Sequence, residues 1–173
     1  MSDKRYLTMN KKLKYTDMVD FRTPKYLENY IRDRWNFQFD GACEAGVNNL
    51  AEPLRLEDDW KNDCVIYSNP PFDDDSIIKW IKKGYEWSQK HRGNIHVILI
   101  PNKLNHVKIQ KETKGMINKL VFLGGRVNFD SIYSVKGGSS RNGSVIIVQT
   151  YFLDNSIDFV LLSDLKKKYG GVE

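Results

Sequence analysis

Residues that build covalent or metal frameworks are scarce in this chain. Among 173 residues there are 2 cysteines, Cys43 and Cys64, and 3 histidines, His91, His96 and His106. No CxxC pair and no ligand-spaced histidine cluster occurs, so neither a disulfide framework nor a structural metal site is expected. Long apolar runs are missing too: stretches such as Val97-Ile98-Leu99-Ile100 fall far short of the roughly 20 residues a membrane-spanning helix needs. The opening segment MSDKRYLTMNKKLKYTD is basic and has no apolar h-region or small-residue cleavage site, which predicts a cytosolic chain rather than a secreted one. No repeat, low-complexity tract or Pro/Gly/Ser-rich linker divides the sequence. What is present, 40% hydrophobic, 12% aromatic and 28% charged residues, is the composition of one folded domain. A formal net charge of +5 allows a polyanionic partner without requiring one.

Residues 1–22 carry Lys4, Arg5, Lys11, Lys12 and Lys14 with little periodicity and read as a basic lead-in to a domain over 23–173; an arm that touches phosphates is the sharper alternative. Thr23-Pro24 predicts a helix start, with a hydroxyl at the N-cap and proline in the first turn, and Leu27, Tyr30 and Ile31 follow at helical spacing to about residue 35. Phe37 to Asp40 alternates before Gly41 as a short strand should, and Cys64 to Tyr67 is a second strand cut off by Ser68-Asn69-Pro70-Pro71. Asp73-Asp74-Asp75 places negative charge at the start of an amphipathic helix over about 75–91. The β-branched run 95–100 predicts a buried strand ended by Pro101. A helix near 106–118, a strand at 120–123 and apolar runs at 144–153 and 158–162 follow, the last read as an edge strand leading into a solvated terminus. Alternating strand and helix argues for a mostly parallel α/β sheet, with the closing strands as an antiparallel hairpin at its edge.

The most specific segment is Val65 to Phe72. Two consecutive prolines donate no hydrogen bonds and hold the backbone extended, so Asn69 and the adjacent carbonyls are fixed just past a buried strand. Ligands bind at the carboxyl ends of strands in open α/β sheets. The Asn69 amide oxygen and the Pro70 carbonyl form two acceptors that match the two N–H groups of an exocyclic amine such as adenine N6, and the Phe72 ring offers a stacking face for the base. A stiff turn capping a strand, with Phe72 in the core, is the bland alternative.

Ser68-Asn69-Pro70-Pro71-Phe72 resembles the (D/N/S)PP(Y/F/W) motif of amino-methyltransferases that use S-adenosylmethionine. The wider order of landmarks is similar to that of the small phage-encoded DNA N6-adenine methyltransferases of the Dam type. Those landmarks are Asp20-Phe21-Arg22-Thr23-Pro24, then Phe37 to Asp40 leading into Ala42-Cys43, then Asn49 with Pro53, Asp59-Trp60, Ile98 to Pro101, and Gly124-Gly125-Arg126-Val127-Asn128-Phe129. The resemblance spans residues 17–150 and implies a Rossmann-like methyltransferase fold with S-adenosylmethionine as cofactor. It places the chemistry at Asn69, Pro70, Pro71 and Phe72. It further implies that Asp40 and the backbone through Ala42 approach the methionine end of the cofactor, with Thr23, Pro24 and Ser68 nearby, Asn49 bracing the loop and Asp59 near the adenosine portion. The loop after Asp40 departs from larger methyltransferases in lacking FxGxG.

An adenine inside double-stranded DNA must be flipped out before Asn69 reaches it, at a cost of a few kcal/mol that phosphate contacts must offset. Lys103, Lys108, Lys111, Arg126, Lys136 and Arg141 are the basic candidates, and the loop from Lys136 to Gly143 could order on DNA and read base edges. Displacement at a sulfonium needs alignment more than a histidine base or metal, and orientation supplies roughly 7–11 kcal/mol. A chain this short has no room for a large separate recognition domain, which implies a short recognition sequence or a second subunit; a monomer or homodimer with no membrane partner is expected. Methylation of cytosine N4 or an RNA base, or a module that has lost the cofactor and only binds nucleic acid or protein, are the competing readings.

Overall fold

The computed structural model describes residues 21–42, 50–131 and 142–170. Predictions that fall on residues 1–20 and on Cys43, Asn49, Lys136 and Arg141 lie outside the described residues. Strand β1 (Phe21–Arg22), the end of the predicted lead-in, is followed by α1 (Lys25–Trp35), β2 (Phe39–Gly41) and β3 (Glu52–Leu54). Next come β4 (Val65–Ser68), α2 (Asp74–Ser88), β5 (Ile95–Pro101), α3 (Val107–Thr113) and β6 (Lys119–Gly124). Strands β7 (Asp130–Ser131), β8 (Ser144–Thr150) and β9 (Ser156–Leu161) and helix α4 (Leu162–Tyr169) complete the described elements. None of the described helices is long and apolar enough to cross a membrane.

Seven strands form one sheet in the order β3-β2-β4-β5-β8-β6-β9, and β1 pairs antiparallel with β7 in a separate ribbon. Strands β3, β2, β4 and β5 run parallel, as do β6 and β9, whereas β8 is antiparallel to both of its neighbours. This is the mostly parallel, Rossmann-like arrangement, but the closing strands do not pair as a hairpin: β8 runs antiparallel between β5 and β6, and β9 lies parallel on the far side of β6. Burial patterns account for the difference. The run Val145 to Val148 is apolar without alternation and is buried throughout, which suits a strand with both edges paired; β9 alternates half-buried and exposed positions, which suits an edge.

Alternate residues of each central strand feed opposite layers. Val97 and Leu99 pack with Leu27 and Ile31 of α1 and Leu162 and Leu165 of α4. Ile98 and Ile100 face Ile77 and Ile81 of α2 and Ile109 of α3. Trp60, Trp80 and Trp87 extend the second layer beneath Phe39 and Ile66. The stretch after β9 is thus a packed helix rather than a solvated terminus: Tyr169 donates its hydroxyl to Asp33 at 2.6 Å, and Asn29 donates to the Tyr169 carbonyl at 3.3 Å.

Both long helices begin close to where the sequence puts them, with one exchange of roles. Asp73 caps α2 by accepting from the Ser76 amide at 2.8 Å. In α1 the N-cap is Pro24, without a side-chain cap bond, because the Thr23 hydroxyl is bonded elsewhere. Gly84, inside α2, marks a close approach to β5: a β-carbon there would lie 1.7 Å from His96 Nδ1 and 2.6 Å from Gln149 Oε1. Gly84→Ala is therefore expected to destabilise by about 2–3 kcal/mol in urea unfolding, because the clash outweighs the gain of about 1 kcal/mol in helix propensity. A more stable variant would contradict this packing.

Candidate active site

The chain leaves β2 toward β3 on one side, and leaves β4 toward β5 on the other. The crevice between the carboxyl ends of β2 and β4 is thus the topological switch point of the sheet, where open α/β folds bind ligands. Gly41 pairs with Ser68, so Ala42 and Asn69 depart from the sheet side by side. Ala42 adopts a left-handed backbone (φ 64°), which turns the chain sharply away from β2.

Three tethers hold the segment around Asn69. On one side of the sheet the Tyr67 hydroxyl and the Thr23 hydroxyl are hydrogen-bonded at 2.6 Å, both buried, which ties the end of β4 to the start of α1. Burial pushes the Tyr67 phenol well above its ordinary range, so it stays protonated. On the other side the Ser68 hydroxyl meets His96 Nε2 at 2.9 Å. Downstream, Lys103 donates to the Phe72 carbonyl at 2.6 Å and to Asp74 at 3.0 Å, anchoring the exit from the two prolines. Between these tethers Asn69 is half-buried, Pro70 buried and Pro71 exposed.

At the β2 end, Asp40 is 5% exposed and accepts from the Leu50 amide at 2.9 Å. The Leu50 carbonyl accepts from the Arg32 guanidinium, which also pairs with Glu28 at 2.9 Å and lies 4.2 Å above the Phe37 ring. Asp40 and Arg32 thereby pin the far end of the connection that leaves Ala42. Desolvation pushes the Asp40 carboxyl up to about 6, against the opposing pull of the Leu50 amide and Arg32. A buried carboxylate at a strand end is a group that a cationic ligand would favour in its charged form.

The same shift has a stability consequence of definite sign. The folded value lies above the unfolded one, so between about pH 4 and 6 the native state holds the proton longer and stability falls as pH rises. Comparing wild type with Asp40→Asn in urea unfolding at pH 4 and pH 7 should show a relative change of about 2 kcal/mol disfavouring the wild type at the higher pH. Parallel profiles would contradict the burial of this carboxyl.

The structure redefines several sequence-predicted roles. Phe72 is 9% exposed and its ring lies edge-on to Phe129 at 5.3 Å, so it packs into the core rather than presenting an open stacking face. That contact joins the Asn-Pro-Pro-Phe box to the Gly-Arg-Val-Asn-Phe element. Ser68 is fully buried and its hydroxyl is directed to His96, so it does not open onto the crevice. The Lys103 ammonium is engaged by the Phe72 carbonyl and Asp74, and Lys108 pairs with Asp75 at 2.5 Å at the surface. Arg126 and Asp59 are exposed. Sequence reasoning missed Tyr67, Arg32 and His96. A cavity of about 580 Å3 between α3 and β6, lined by residues such as Leu104, Ile109, Ile117 and Leu120, involves none of the residues predicted to be catalytic or cofactor-binding.

An open, mostly parallel sheet with an antiparallel strand in its second half, and an asparagine-proline-proline turn at its switch point, defines a Rossmann-like methyltransferase. A family model described as DNA N-6-adenine-methyltransferase (Dam) matches residues 10–169, and the chain belongs to that family. It is accordingly an adenine-specific DNA methyltransferase. No curated protein matches the chain.

Proposed function

We propose that the chain methylates N6 of an adenine rotated out of duplex DNA, with S-adenosylmethionine as donor. The observation that carries this reading is the pairing of Gly41 with Ser68, which sets Asn69 beside the turn at Ala42 at the switch point. S-adenosylmethionine would supply a methyl group already activated by a sulfonium. Asp40, Ala42, Thr23 and Pro24 would line its methionine end, with Asn49 bracing the loop and Asp59 reaching the adenosine portion. Ser68 contributes from beneath, by fixing the strand end.

Asn69 and the Pro70 carbonyl accept the two amine hydrogens. This directs the nitrogen lone pair away from the ring and toward the methyl group, and the pre-set acceptors need no reorganisation during transfer. The prolines keep both oxygens in place. Phe72, packed on Phe129, braces the turn from the core side. Flipping the base costs a few kcal/mol, recovered through phosphate contacts by Arg126, Lys136 and Arg141, whereas Lys103 acts by holding the kink. Digestion of treated DNA to nucleosides and mass analysis is expected to show N6-methyladenine. N4-methylcytosine or a modified ribonucleoside would transfer the activity to another amine, and no heat of S-adenosylmethionine binding in calorimetry would leave a binding module.

A further inference from the structure

We infer that His96 is a positioning residue for Asn69, acting through the Ser68 hydroxyl and held in one tautomer by Gln149. The inference rests on the reading of Asn69 as the amine acceptor. Ser68, His96 and Gln149 lie on β4, β5 and β8, three adjacent strands, and all are fully buried. Gln149 Nε2 donates to the carbonyls of Ile81 at 2.9 Å and Met116 at 2.7 Å, which uses both of its hydrogens. Its Oε1 therefore faces His96 Nδ1 at 3.0 Å as an acceptor, so Nδ1 carries the proton. The bare Nε2 then accepts the Ser68 hydroxyl at 2.9 Å. Every donor direction in the relay is fixed, from carbonyls on α2 and before β6 to the residue that immediately precedes Asn69.

Two further observations separate this relay from ordinary core packing. The first is chemical: it places three polar side chains on adjacent, largely apolar central strands, where a fully satisfied network specifies one arrangement. The second is spatial. A β-carbon on Gly41 would lie 2.4 Å from Ser68 Oγ, so this hydroxyl sits in the contact between the two strand ends. The base-side end at Asn69 and the donor-side end at Ala42 thus share one reference atom. Trp60 packs edge-on against the imidazole at a centroid distance of 5.2 Å.

The test is a double-mutant cycle on methyl transfer to duplex DNA, with thermal unfolding of each variant alongside. Ser68→Ala and His96→Leu are each expected to lower kcat by about 100-fold, the scale of a 1 Å misplacement, with KM for donor and DNA changed less than about threefold. The double variant should be no slower than the worse single one, because both cut the same relay. His96→Gln, which retains an acceptor for Ser68, should recover most of the rate. Ser68→Ala removes one oxygen and keeps the question answerable if His96→Leu does not fold. Unchanged kcat in Ser68→Ala, losses that multiply in the double variant, or a loss carried by KM would each overturn the inference. An inactive wild type would instead remove the reading of the function itself.

Discussion

Asn69→Ala is expected to reduce methyl transfer by about 100- to 1,000-fold, the range for losing one pre-set polar group at a reacting centre, while leaving the fold intact. Asn69 lies past the last residue of β4 and is half-buried, and the strand end keeps its other tethers: Tyr67 to Thr23, Ser68 to His96, and Lys103 to the Phe72 carbonyl. Truncation should therefore remove an acceptor without loosening the kink. What remains is the Pro70 carbonyl, which engages one amine hydrogen and no longer sets the direction of the nitrogen lone pair. Asn69→Asp keeps an acceptor oxygen and should retain more activity than the alanine variant. Labelled-methyl incorporation at saturating donor and DNA, with thermal unfolding as a control, reads both outcomes. Near-wild-type incorporation by Asn69→Ala would remove this residue from the chemistry.

The second large effect is on DNA affinity. Binding to a short duplex should weaken by about 1,000-fold between 50 and 200 mM salt if some six phosphates are contacted, because each neutralised phosphate releases condensed counterions. The formal charge of +5 does not by itself decide this, since several lysines are spent internally: Lys103 on Asp74, Lys108 on Asp75, and Lys82 on Glu112 at 2.5 Å. Exposed Arg126, three residues before the Phe129 that packs on the Asn-Pro-Pro-Phe box, is the residue we propose for phosphate. Arg126→Ala should lower the slope of log affinity against log salt by about 1. A flat salt response of the wild type would argue against a duplex as partner.

Local pattern carries far in this chain, and its limits are physical. The helix of Leu27, Tyr30 and Ile31, the acidic cap of α2 and the β-branched runs of β5 and β8 express their burial in sequence spacing. The end of β4 was marked by two consecutive prolines, neither of which can donate to a strand ladder. Strand β3 and the ribbon of β1 with β7 are three and two residues long, too short for any periodicity. Helix α4 went unread as a helix, because its apolar positions Leu162, Leu165 and Tyr169 fall within only eight residues and its start merges with β9. The pairing of β9 depended on which strand already filled both edges of β8. Site electrostatics were hidden for another reason: the bonds from Thr23 to Tyr67, Ser68 to His96 and His96 to Gln149 span 44, 28 and 53 residues. A trace of the last two was visible, since His96 and Gln149 interrupt apolar runs and Gly84 interrupts an amphipathic helix. Polar residues within such runs signal a partner across the sheet without naming it.

A co-crystal with duplex DNA and a non-reactive S-adenosylmethionine analogue tests the central claim most directly. The account predicts the analogue against Asp40 and Ala42 at the end of β2, and an extrahelical adenine whose amino nitrogen lies within roughly 3 Å of both the Asn69 amide oxygen and the Pro70 carbonyl. An analogue seated away from the ends of β2 and β4, or an adenine amine held by other groups with Asn69 turned aside, would contradict it.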